Sequence, residues 1–307
     1  MSAAMIQVLR AGLCDLVMDQ GRPGRGALGV PVGGAADPAA LAAANRLVGN
    51  DATAAGLEIT LRGPGLRFPL GGVVALTGAR FAATRSSGAA AGWGETLVLA
   101  AGETLNLEQA ETGCRCWLAL RGGLAVPPVM GSRSTFLPAG FGGYRGRALW
   151  AGDMLASSAT AGAVRLLRAR APAIERDAPL RVVAGPQAGQ FNDVGLLAFF
   201  AGNYRVEAAS DRRGLRLGGP AVTHARAELP SQGVLPGAVQ VPPDGRPIVL
   251  GWDGPVTGGY PVIAGVIAAD MVKLAQLRPG DAVRFATIEL ERARSLATEQ
   301  WEIEELT

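Results

Sequence analysis

Short segments in which apolar and polar residues alternate dominate the hydrophobic pattern of this chain. Residues 5–10 alternate in this way and predict a first β-strand. Further strand-like segments follow, separated by turn residues at a spacing of about 8–12 residues. These segments are 57–61, 73–77, 97–99, 104–107, 116–120, 164–168, 180–184, 239–241, 247–250 and 282–288. Such a density of short strands predicts a mainly β protein built from barrels or sandwiches.

Helical patterns are confined to a few segments. Asp37 followed by a proline is typical of a helix start, because the aspartate caps free N–H groups and proline suits the first helical position. This helix is predicted over 38–48. Two more helical patterns lie near 187–201 and 264–277. The acidic tail, 289–307, also fits a helix, either exposed to solvent or docked on a partner.

The length of 307 residues suits one large domain or two modest ones. The best candidate for a boundary is the polar stretch 169–179, which carries two prolines and has no apolar periodicity. We therefore expect an N-terminal domain over residues 1–172 and a C-terminal domain over residues 173–307.

Residue usage excludes several functions. Of the 29 basic residues, 28 are arginines and one is Lys273. The arginines are scattered singly and 5% of residues are aromatic, so the net charge of +3 does not indicate a nucleic-acid surface. A phosphate-binding P-loop needs a lysine directly after a glycine, and Lys273 follows a valine. Its surroundings also differ from the Met-Lys-Met turn that carries biotin, so we expect neither a P-loop nor covalent biotin.

The single histidine and the three cysteines limit metal and nucleophile chemistry. His224 alone excludes His-rich zinc sites, and its surroundings predict a loop or strand-edge position. Cys114 and Cys116 alternate in a strand-like segment, so we expect two buried residues on one face rather than a metal pair. With Cys14 the cysteine count is odd and there is no signal peptide, which predicts a reducing cytoplasmic location and no metal site.

No membrane-spanning segment is predicted. The longest apolar run, 261–277, is interrupted by Asp270 and Lys273 and is too short and too polar to cross a bilayer.

Four clusters of glycine and polar residues are candidates for a site. They lie at 18–22, 33–37, 210–219 and 237–261. Arginine presents a fork of donors that fits a carboxylate, and glycines let backbone amides approach a ligand and stabilise developing negative charge. Each cluster alone is equally typical of a loop held by an ion pair. None matches the dinucleotide-binding glycine pattern.

The order of the motifs resembles the KipA family. This family is the same as the allophanate hydrolase subunit 2 domain, the carboxyltransferase part of urea carboxylase, and the C subunit of 5-oxoprolinase. The resemblance covers about residues 5–288. The matching motifs are Asp19, Gly21-Arg22, Gly34-Ala35, Asp37, 45–50, 57–60, Gly63-Pro64, Gly122-Gly123, 131–135, Gly142-Gly143, Gly152-Asp153, 185–187, Asp211-Arg212, Gly214, Ser231, Gly233-Val234, Gly237, 240–242, Asp244-Gly245, 257–261, Asp270 and 279–281.

Three positions depart from the family pattern. Met18 stands where the family has a glutamine, Gln232 stands where an acidic residue is usual, and Pro255 stands where a glutamine is usual. If these polar groups contact substrate, the departures change substrate preference or activity. A proline also removes a backbone donor.

The resemblance implies a fold of two cyclophilin-like β-barrel domains with a few short helices. It implies pairing with a KipI-like subunit to form one active site that takes a small amide or urea-like substrate. ATP would be handled by a large partner subunit, and carboxybiotin, where it takes part, would be carried by another chain, in the carboxylase branch beside a biotin carboxylase. No cofactor would be bound covalently to this chain.

Within this resemblance, eight residues are predicted to form the site. The predicted catalytic residues are Arg22, Asp19, Asp253 and Tyr260, and the predicted substrate-binding residues are Gln240, Thr257, Gly258 and Gly259. Arg22 would hold a carboxylate or stabilise an oxyanion, and Gln240 would meet an amide or ureido edge. Asp253 and Tyr260 would orient the nitrogen or pass a proton. The polar residues Asp37, Asp211 and Arg212 are expected to hold loops in place.

Three functions are compatible with these residues and motifs. The leading hypothesis is a subunit of an ATP-dependent 5-oxoprolinase that opens 5-oxoproline to glutamate. The second is a biotin-dependent carboxyltransferase subunit that acts on urea or a related amide. The third is a non-enzymatic regulator that antagonises a KipI-like kinase inhibitor, which the departures at Met18 and Pro255 favour slightly.

Overall fold

The computed structural model describes residues 4–158, 162–172, 178–223, 229–296 and 301–306. The strands in chain order are β1 (Met5–Arg10), β2 (Cys14–Met18), β3 (Gly56–Thr60), β4 (Gly65–Phe68), β5 (Gly72–Gly78), β6 (Phe81–Arg85), β7 (Thr96–Leu99), β8 (Glu103–Ala110), β9 (Arg115–Leu120), β10 (Met154–Ala156), β11 (Leu167–Arg170), β12 (Leu180–Ala184), β13 (Tyr204–Val206), β14 (Gly214–Gly218), β15 (Gln232–Gly233), β16 (Ala238–Gln240), β17 (Ile248–Leu250), β18 (Thr257–Gly258), β19 (Val262–Val266), β20 (Ala282–Val283), β21 (Phe285–Thr287) and β22 (Glu302–Glu305). The helices are α1 (Pro38–Leu47), α2 (Asp193–Ala201), α3 (Met271–Gln276) and α4 (Leu290–Ser295). The predicted fold class, mainly β with a few short helices, is confirmed.

The chain divides into two compact units. The first unit comprises Met1–Arg22, Gly33–Pro172 and Gln300–Thr307, and the second comprises Pro23–Val32 and Ala173–Glu299. The linear division after residue 172 stays a prediction, and residues 23–32 and 300–307 group with the unit on the other side of it. His224 and the middle of the predicted linker, 173–177, lie outside the described residues.

Two five-stranded antiparallel sheets enclose the core of the first unit. Their strand orders are β10-β1-β4-β8-β6 and β2-β3-β9-β5-β7. Residues such as Phe68 and Leu105 from one sheet and Leu57 and Leu118 from the other are fully buried in a single cluster. The predicted strand position of Cys116 is confirmed, because it lies on β9 in this core, and Cys114 just before it is also buried. Buried and less buried residues alternate along most of β8, which supplies its inward face, whereas β9 is buried along its whole length.

Helix α1 covers the outer face of the second of these sheets. Asp37 caps it as predicted, because its Oδ1 accepts a hydrogen bond from the Ala40 N–H at 2.9 Å. Leu47 packs in a separate buried cluster with Val73 and Ala119 of the sheet. The predicted helix over 38–48 is therefore confirmed to within one residue.

The prediction of a helical tail over 289–307 is wrong for its last part. Among the described residues of this tail, Leu290–Ser295 is helical, and Glu302–Glu305 forms β22, which pairs antiparallel with β11. Acidic residues of β22 lie opposite arginines of β11, with Glu304 paired to Arg168 in register. Opposite charges across a strand pair, together with Ile303 packed on the α1 cluster, favour the strand.

The second unit is built on one eight-stranded sheet with the order β20-β13-β14-β17-β16-β19-β12-β21. The two edge strands, β20 and β21, are separated in the chain by Arg284 alone. The same stretch of chain therefore pairs with both ends of the sheet, which brings it close to a closed barrel. A buried core of aromatic and branched residues, including Phe199, Tyr204 and Phe285, fills the interior.

The helix predicted near 264–277 is wrong in its first part. Val262–Val266 forms β19, which pairs with β12 on one side and β16 on the other. A central strand is buried on both faces, so its residues form a continuous apolar run that resembles a buried helix in sequence. Helix α3 begins only at Met271. None of the helices within the described ranges is both long and apolar enough to span a bilayer.

Asp15 is an acidic side chain buried inside the first unit. It lies on β2 opposite Ile59 of β3, and Ile59 in turn lies opposite Cys116 of β9. Ile59 and Cys116 both belong to the buried core. Burial raises the pKa of the Asp15 carboxyl to about 7, although the Gly12 N–H and Arg10 act in the opposite direction. The charged form is therefore the less stable one in the folded protein.

We expect Asp15→Asn to make the protein less sensitive to pH. Since the folded-state pKa of Asp15 is raised, its contribution to stability is complete at low pH and is lost as the pH rises through about 7. The loss amounts to at most about 1.4 kcal/mol per pH unit. Urea unfolding at pH 5 and pH 8 measures it. The asparagine variant should exceed wild type in stability at pH 8, and parallel pH dependences of the two proteins would contradict this.

Candidate functional site

The eight predicted site residues fall in the two units separately. Asp19 and Arg22 belong to the first unit. The second unit holds Gln240, Asp253, Thr257, Gly258, Gly259 and Tyr260.

Asp19 is the centre of a buried hydrogen-bond cluster in the first unit, formed with Ser132, Arg133 and Ser134 and called here the aspartate cluster. Its Oδ1 accepts from the Ser132 and Ser134 hydroxyls, each at 2.6 Å, and from the Gly21 N–H at 2.8 Å. Its Oδ2 accepts from the Arg133 N–H at 2.5 Å. Both oxygens are thus occupied by donors of the protein, which favours an anchoring role. The catalytic role of Asp19 stays a prediction.

Arg22 is buried beside this cluster, with 1% of its surface exposed. Its Nη2 donates to the Ser134 carbonyl, and its guanidinium lies over the Phe141 ring at 5.0 Å from the centroid. A Cβ at Gly142 would come within 3.0 Å of Nη2 and 2.2 Å of the Ser134 carbonyl oxygen, so only glycine leaves room there. The structure brings Arg22 and Asp19 together on Ser134, which the sequence motif at 131–135 did not by itself reveal.

Glu58 holds the glycine-rich segment 33–37 in place. One carboxylate oxygen accepts from the Ala36 N–H at 2.8 Å and from the Trp117 indole at 3.2 Å, and the other lies 3.5 Å from Arg115. The Ala35 N–H donates to the Asp19 carbonyl at 2.9 Å, which joins this segment to the aspartate cluster. Burial raises the pKa of the nearby Asp37 carboxyl to about 6, opposed by the N–H groups that it caps. Sequence reasoning placed Glu58 in a motif but gave it no role.

Asp253 in the second unit is paired with Arg212. The guanidinium Nε and Nη2 donate to the two carboxylate oxygens at 2.7 and 3.2 Å, and the side chains are 8% and 1% exposed. This two-point geometry fixes the orientation of both groups. The pair is reinforced by a bond from the Asp253 N–H to the Arg212 carbonyl at 3.1 Å. Arg212 therefore holds Asp253, as expected for a loop-fixing residue.

Gln240 and Gly258 lie together in the second unit. Gln240 is buried on β16, and its Nε2 lies 2.5 Å from the position that a Cβ on Gly258 would occupy. Gly258 is on β18, which forms a two-stranded ribbon with β15. Thr257 in the same strand and Tyr260 just beyond it are exposed. The structure thus places Gln240 beside the segment 257–260, which carries four further predicted residues.

The Gln240 amide suits an oxygen-bearing ligand. Its Nε2 is buried and has no hydrogen-bond partner within the described part of the chain. An amide N–H group matches carboxylate and carbonyl oxygens. The described ranges hold no group of three or more His, Cys, Asp or Glu side chains arranged to bind a metal.

A comparison with known protein families shows which family the chain belongs to. The family described as "Carboxyltransferase domain, subdomain A and B" matches residues 28–287, which is most of the chain. The chain belongs to this carboxyltransferase domain family. The match includes the segments of the second unit that carry Gln240, Asp253 and Tyr260.

Individual relatives support this membership. The chain is 40% identical to the 5-oxoprolinase C subunit of Escherichia coli K12, over 96% of this chain and 95% of that protein. It is 33% identical to the urea amidolyase of Saccharomyces cerevisiae, over 96% of this chain and 17% of that protein. The crystal structure of the Kluyveromyces lactis urea carboxylase superposes with a TM-score of 0.87 at 32% identity, over 96% of this chain and 28% of that one.

The resemblance predicted from the motif order is therefore confirmed, and the structural relatives bear out the fold class. The chain spans nearly all of one relative but a small part of the two urea-processing proteins. The predicted roles of the eight site residues stay predictions. Sequence reasoning did not place Ser132 and Gln187 in the site. The Ser132 hydroxyl donates to Asp19, and the Gln187 side chain accepts from the Val262 N–H, close to Tyr260 in the chain.

Proposed function

We propose that this chain is the C subunit of a 5-oxoprolinase, a multi-subunit enzyme that opens the lactam of 5-oxoproline to give glutamate. The observation that carries the proposal is the end-to-end match with the Escherichia coli protein, which extends over 96% of this chain and 95% of that protein. A second relative with the same name, from Haemophilus influenzae, matches over 95% of this chain and 94% of its own length. The urea-processing relatives match as one part of much longer proteins.

In this proposal the remaining chemistry lies on partner chains. A large partner handles ATP, since this chain has no glycine-lysine P-loop motif. A KipI-like partner completes the active site. The complex works in the cytoplasm as a hetero-oligomer. The ATP-handling partner, the KipI-like partner and the cytoplasmic location are proposals that follow from the resemblance of the sequence motifs.

The site residues have different roles in the proposed reaction. Gln240 meets the amide edge of the lactam, and Thr257, Gly258 and Gly259 shape the binding surface beside it. Tyr260, whose side chain is 36% exposed, orients the ring nitrogen or passes it a proton in this proposal. The remaining predicted catalytic groups, Arg22, Asp19 and Asp253, hold charge in fixed positions, each through the protein contacts described above.

A second candidate function is carboxyl transfer from carboxybiotin to a urea-type nitrogen. The family description and the structural match to a urea carboxylase favour it. Biotin would be carried by another chain, because the one lysine here, Lys273, lies 3.5 Å from Asp270 on helix α3 rather than in an exposed turn. The chain would then act beside a biotin carboxylase.

Purification of the tagged chain from its own cells distinguishes the two candidates. We expect a KipI-like protein and a large ATP-dependent partner in stoichiometric amounts, identified by mass spectrometry, and no biotinylated protein on a streptavidin blot. A biotinylated carrier in place of the large partner would contradict the oxoprolinase assignment and favour carboxyl transfer.

Gly258→Ala should change activity while leaving the fold intact. The new methyl group would lie 2.5 Å from the Gln240 Nε2, and the flexible amide can turn aside more easily than the backbone can move. We expect kcat/KM for 5-oxoproline in the reconstituted complex to fall about tenfold, the effect of losing one hydrogen bond of about 1.4 kcal/mol. The matched control is Gly189→Ala, where a Cβ meets nothing within 4 Å. Equal activity of the two variants would contradict a role for Gln240.

A further inference from the structure

Three glutamines of the second unit meet around the ribbon of β15 and β18. Gln187 is held by the backbone of β19 at Val262, with its Oε1 accepting from the Val262 N–H at 3.0 Å and its own N–H donating to the Val262 carbonyl at 3.2 Å. An N–H group can only donate, so the side-chain atom of Gln187 that faces Val262 must be its oxygen. The amide nitrogen of Gln187 is therefore forced to face the other way.

This fixed orientation passes to Gln232. The Gln187 Nε2 donates to the Gln232 Oε1 at 3.1 Å. Because Gln187 presents a donor, the atom of Gln232 that faces it must be the acceptor oxygen. The Nε2 of Gln232 therefore points away from Gln187. That nitrogen is shielded from solvent and has no hydrogen-bond partner among the described residues. The backbone of β19, acting through Gln187, thus fixes the orientation in which Gln232 presents its amide nitrogen as a donor.

A second amide donor lies on the same side of the ribbon. Gln232 is directly opposite Gly258 in the β15–β18 pair, and opposite residues in an antiparallel pair project to the same side. The Cβ direction of Gly258 leads to the Gln240 Nε2, 2.5 Å away. This nitrogen is also buried and lacks a partner within the described part of the chain. Two amide donors without acceptors are therefore assembled beside the predicted substrate-binding glycine.

Unsatisfied buried donors are costly, so two of them together need an acceptor from outside. We propose that Gln232 and Gln240 form a binding site for a planar acceptor oxygen, a carbonyl or a carboxylate, and that Gln187 sets the polarity of this site. The pair is neutral and presents N–H groups, so it selects for acceptor oxygens and against ligands that offer only N–H donors. Gln232 is then a specificity-determining residue and Gln187 a positioning residue.

The ligand enters by displacement of the ribbon. Each strand of the ribbon has two residues, Gln232–Gly233 and Thr257–Gly258, so its opening breaks few backbone hydrogen bonds. The assignment of the ligand as 5-oxoproline rests on the proposed function, and this compound offers both a lactam carbonyl and a carboxylate. The acceptor chemistry itself follows from the glutamine geometry alone.

The test measures ligand affinity of the full chain by titration calorimetry and ligand-observed NMR. The probes are 5-oxoproline, 2-pyrrolidinone, which has the lactam carbonyl without the carboxylate, and guanidinium at millimolar concentration, which has N–H donors only.

The variants are Gln232→Met, which removes the donor without adding charge, and Gln187→Glu. The glutamate still accepts from Val262 but also presents an acceptor to Gln232, which should turn the Gln232 amide round. The charge control is Gln109→Glu, an exposed position of the first unit.

We expect wild type to bind 5-oxoproline, and Gln232→Met and Gln187→Glu each to weaken that binding by ~10-fold or more, as for loss of one buried polar contact. Gln109→Glu should stay within about twofold, by the usual size of surface effects. Gln187→Glu should also gain affinity for guanidinium that Gln109→Glu lacks, which a merely structural change would not produce. If the two variants bind both 2-pyrrolidinone and 5-oxoproline more weakly, the lactam carbonyl occupies the site. If they bind only 5-oxoproline more weakly, the carboxylate occupies it.

The proposal is overturned if wild type binds neither acceptor probe, or if Gln232→Met binds both as wild type does. These outcomes are separate from failure of the proposed function. A reconstituted complex that releases glutamate with an unchanged KM in Gln232→Met overturns the glutamine site and leaves the oxoprolinase assignment standing. A complex that releases no glutamate while the chain binds 2-pyrrolidinone through Gln232 overturns the assignment and leaves the site standing.

Discussion

Replacement of Asp19 by alanine is expected to lower the free energy of unfolding of the first unit by about 4 kcal/mol. The carboxylate accepts four hydrogen bonds, from the hydroxyls of Ser132 and Ser134 and the backbone of Gly21 and Arg133. Both serines are fully buried. Removal of the carboxylate leaves these donors in the interior without an acceptor, and each costs about 1–3 kcal/mol, with incomplete additivity.

Urea unfolding followed by circular dichroism measures this effect. Asp19→Asn is the graded control, because one oxygen remains to accept from the serines while the new amide group faces the Arg133 N–H and loses that bond. It should fall between wild type and Asp19→Ala. Asp51→Ala is the surface control in the same unit, since Asp51 is exposed and its side chain accepts two hydrogen bonds from Thr53. An unfolding midpoint of Asp19→Ala equal to that of Asp51→Ala would contradict the anchoring role.

The second large effect is expected at Arg212. Its removal leaves the Asp253 carboxylate buried, 1% exposed, without its bidentate partner. An unpaired buried charge of this kind costs about 3–5 kcal/mol. We therefore expect Arg212→Ala to lower the free energy of unfolding of the second unit by about that amount. The double variant Arg212→Ala with Asp253→Ala should recover part of the loss, because no charge is then left unpaired.

The neighbouring residues provide a matched control for this prediction. Arg213 pairs with Asp211 at 2.9 Å, but their side chains are 62% and 48% exposed. A solvated pair contributes under about 1 kcal/mol. A double-mutant cycle on each pair, measured by urea unfolding, should give a strong coupling for Arg212–Asp253 and a weak one for Arg213–Asp211. Equal couplings would show that burial of the first pair carries no energetic weight.

Features of the fold that depend on neighbouring residues in the chain could be predicted. Strand β1 follows from a local alternation and helix α1 from the cap at Asp37, and both are present. The last strand, β22, could not be predicted in this way, because its arginine partners on β11 are more than a hundred residues away in the chain. Strand β19 was also mistaken for a helix, since burial on two faces removes the alternation that marks a strand.

The candidate site shows the same division. The motif order identified the family and placed Gln240, Gly258 and Tyr260 in one cluster, 237–261, and the structure puts the Gln240 amide beside Gly258. It did not show that Ser132 and Ser134 close around Asp19, since a run of small polar residues is typical of exposed loops as well. The orientation of the Gln232 amide depends on Gln187 and on the β19 backbone. That dependence requires three segments to be folded together and has no local sequence pattern.

If the proposed function is correct, this chain is a necessary subunit of a 5-oxoprolinase. A direct assay is glutamate release from 5-oxoproline by the complex of this chain, its KipI-like partner and the large ATP-dependent partner, with each component left out in turn. We expect glutamate formation that requires ATP and stops when this chain is omitted. An intact complex that releases no glutamate, or a mixture without this chain that releases it equally, would contradict the proposed function.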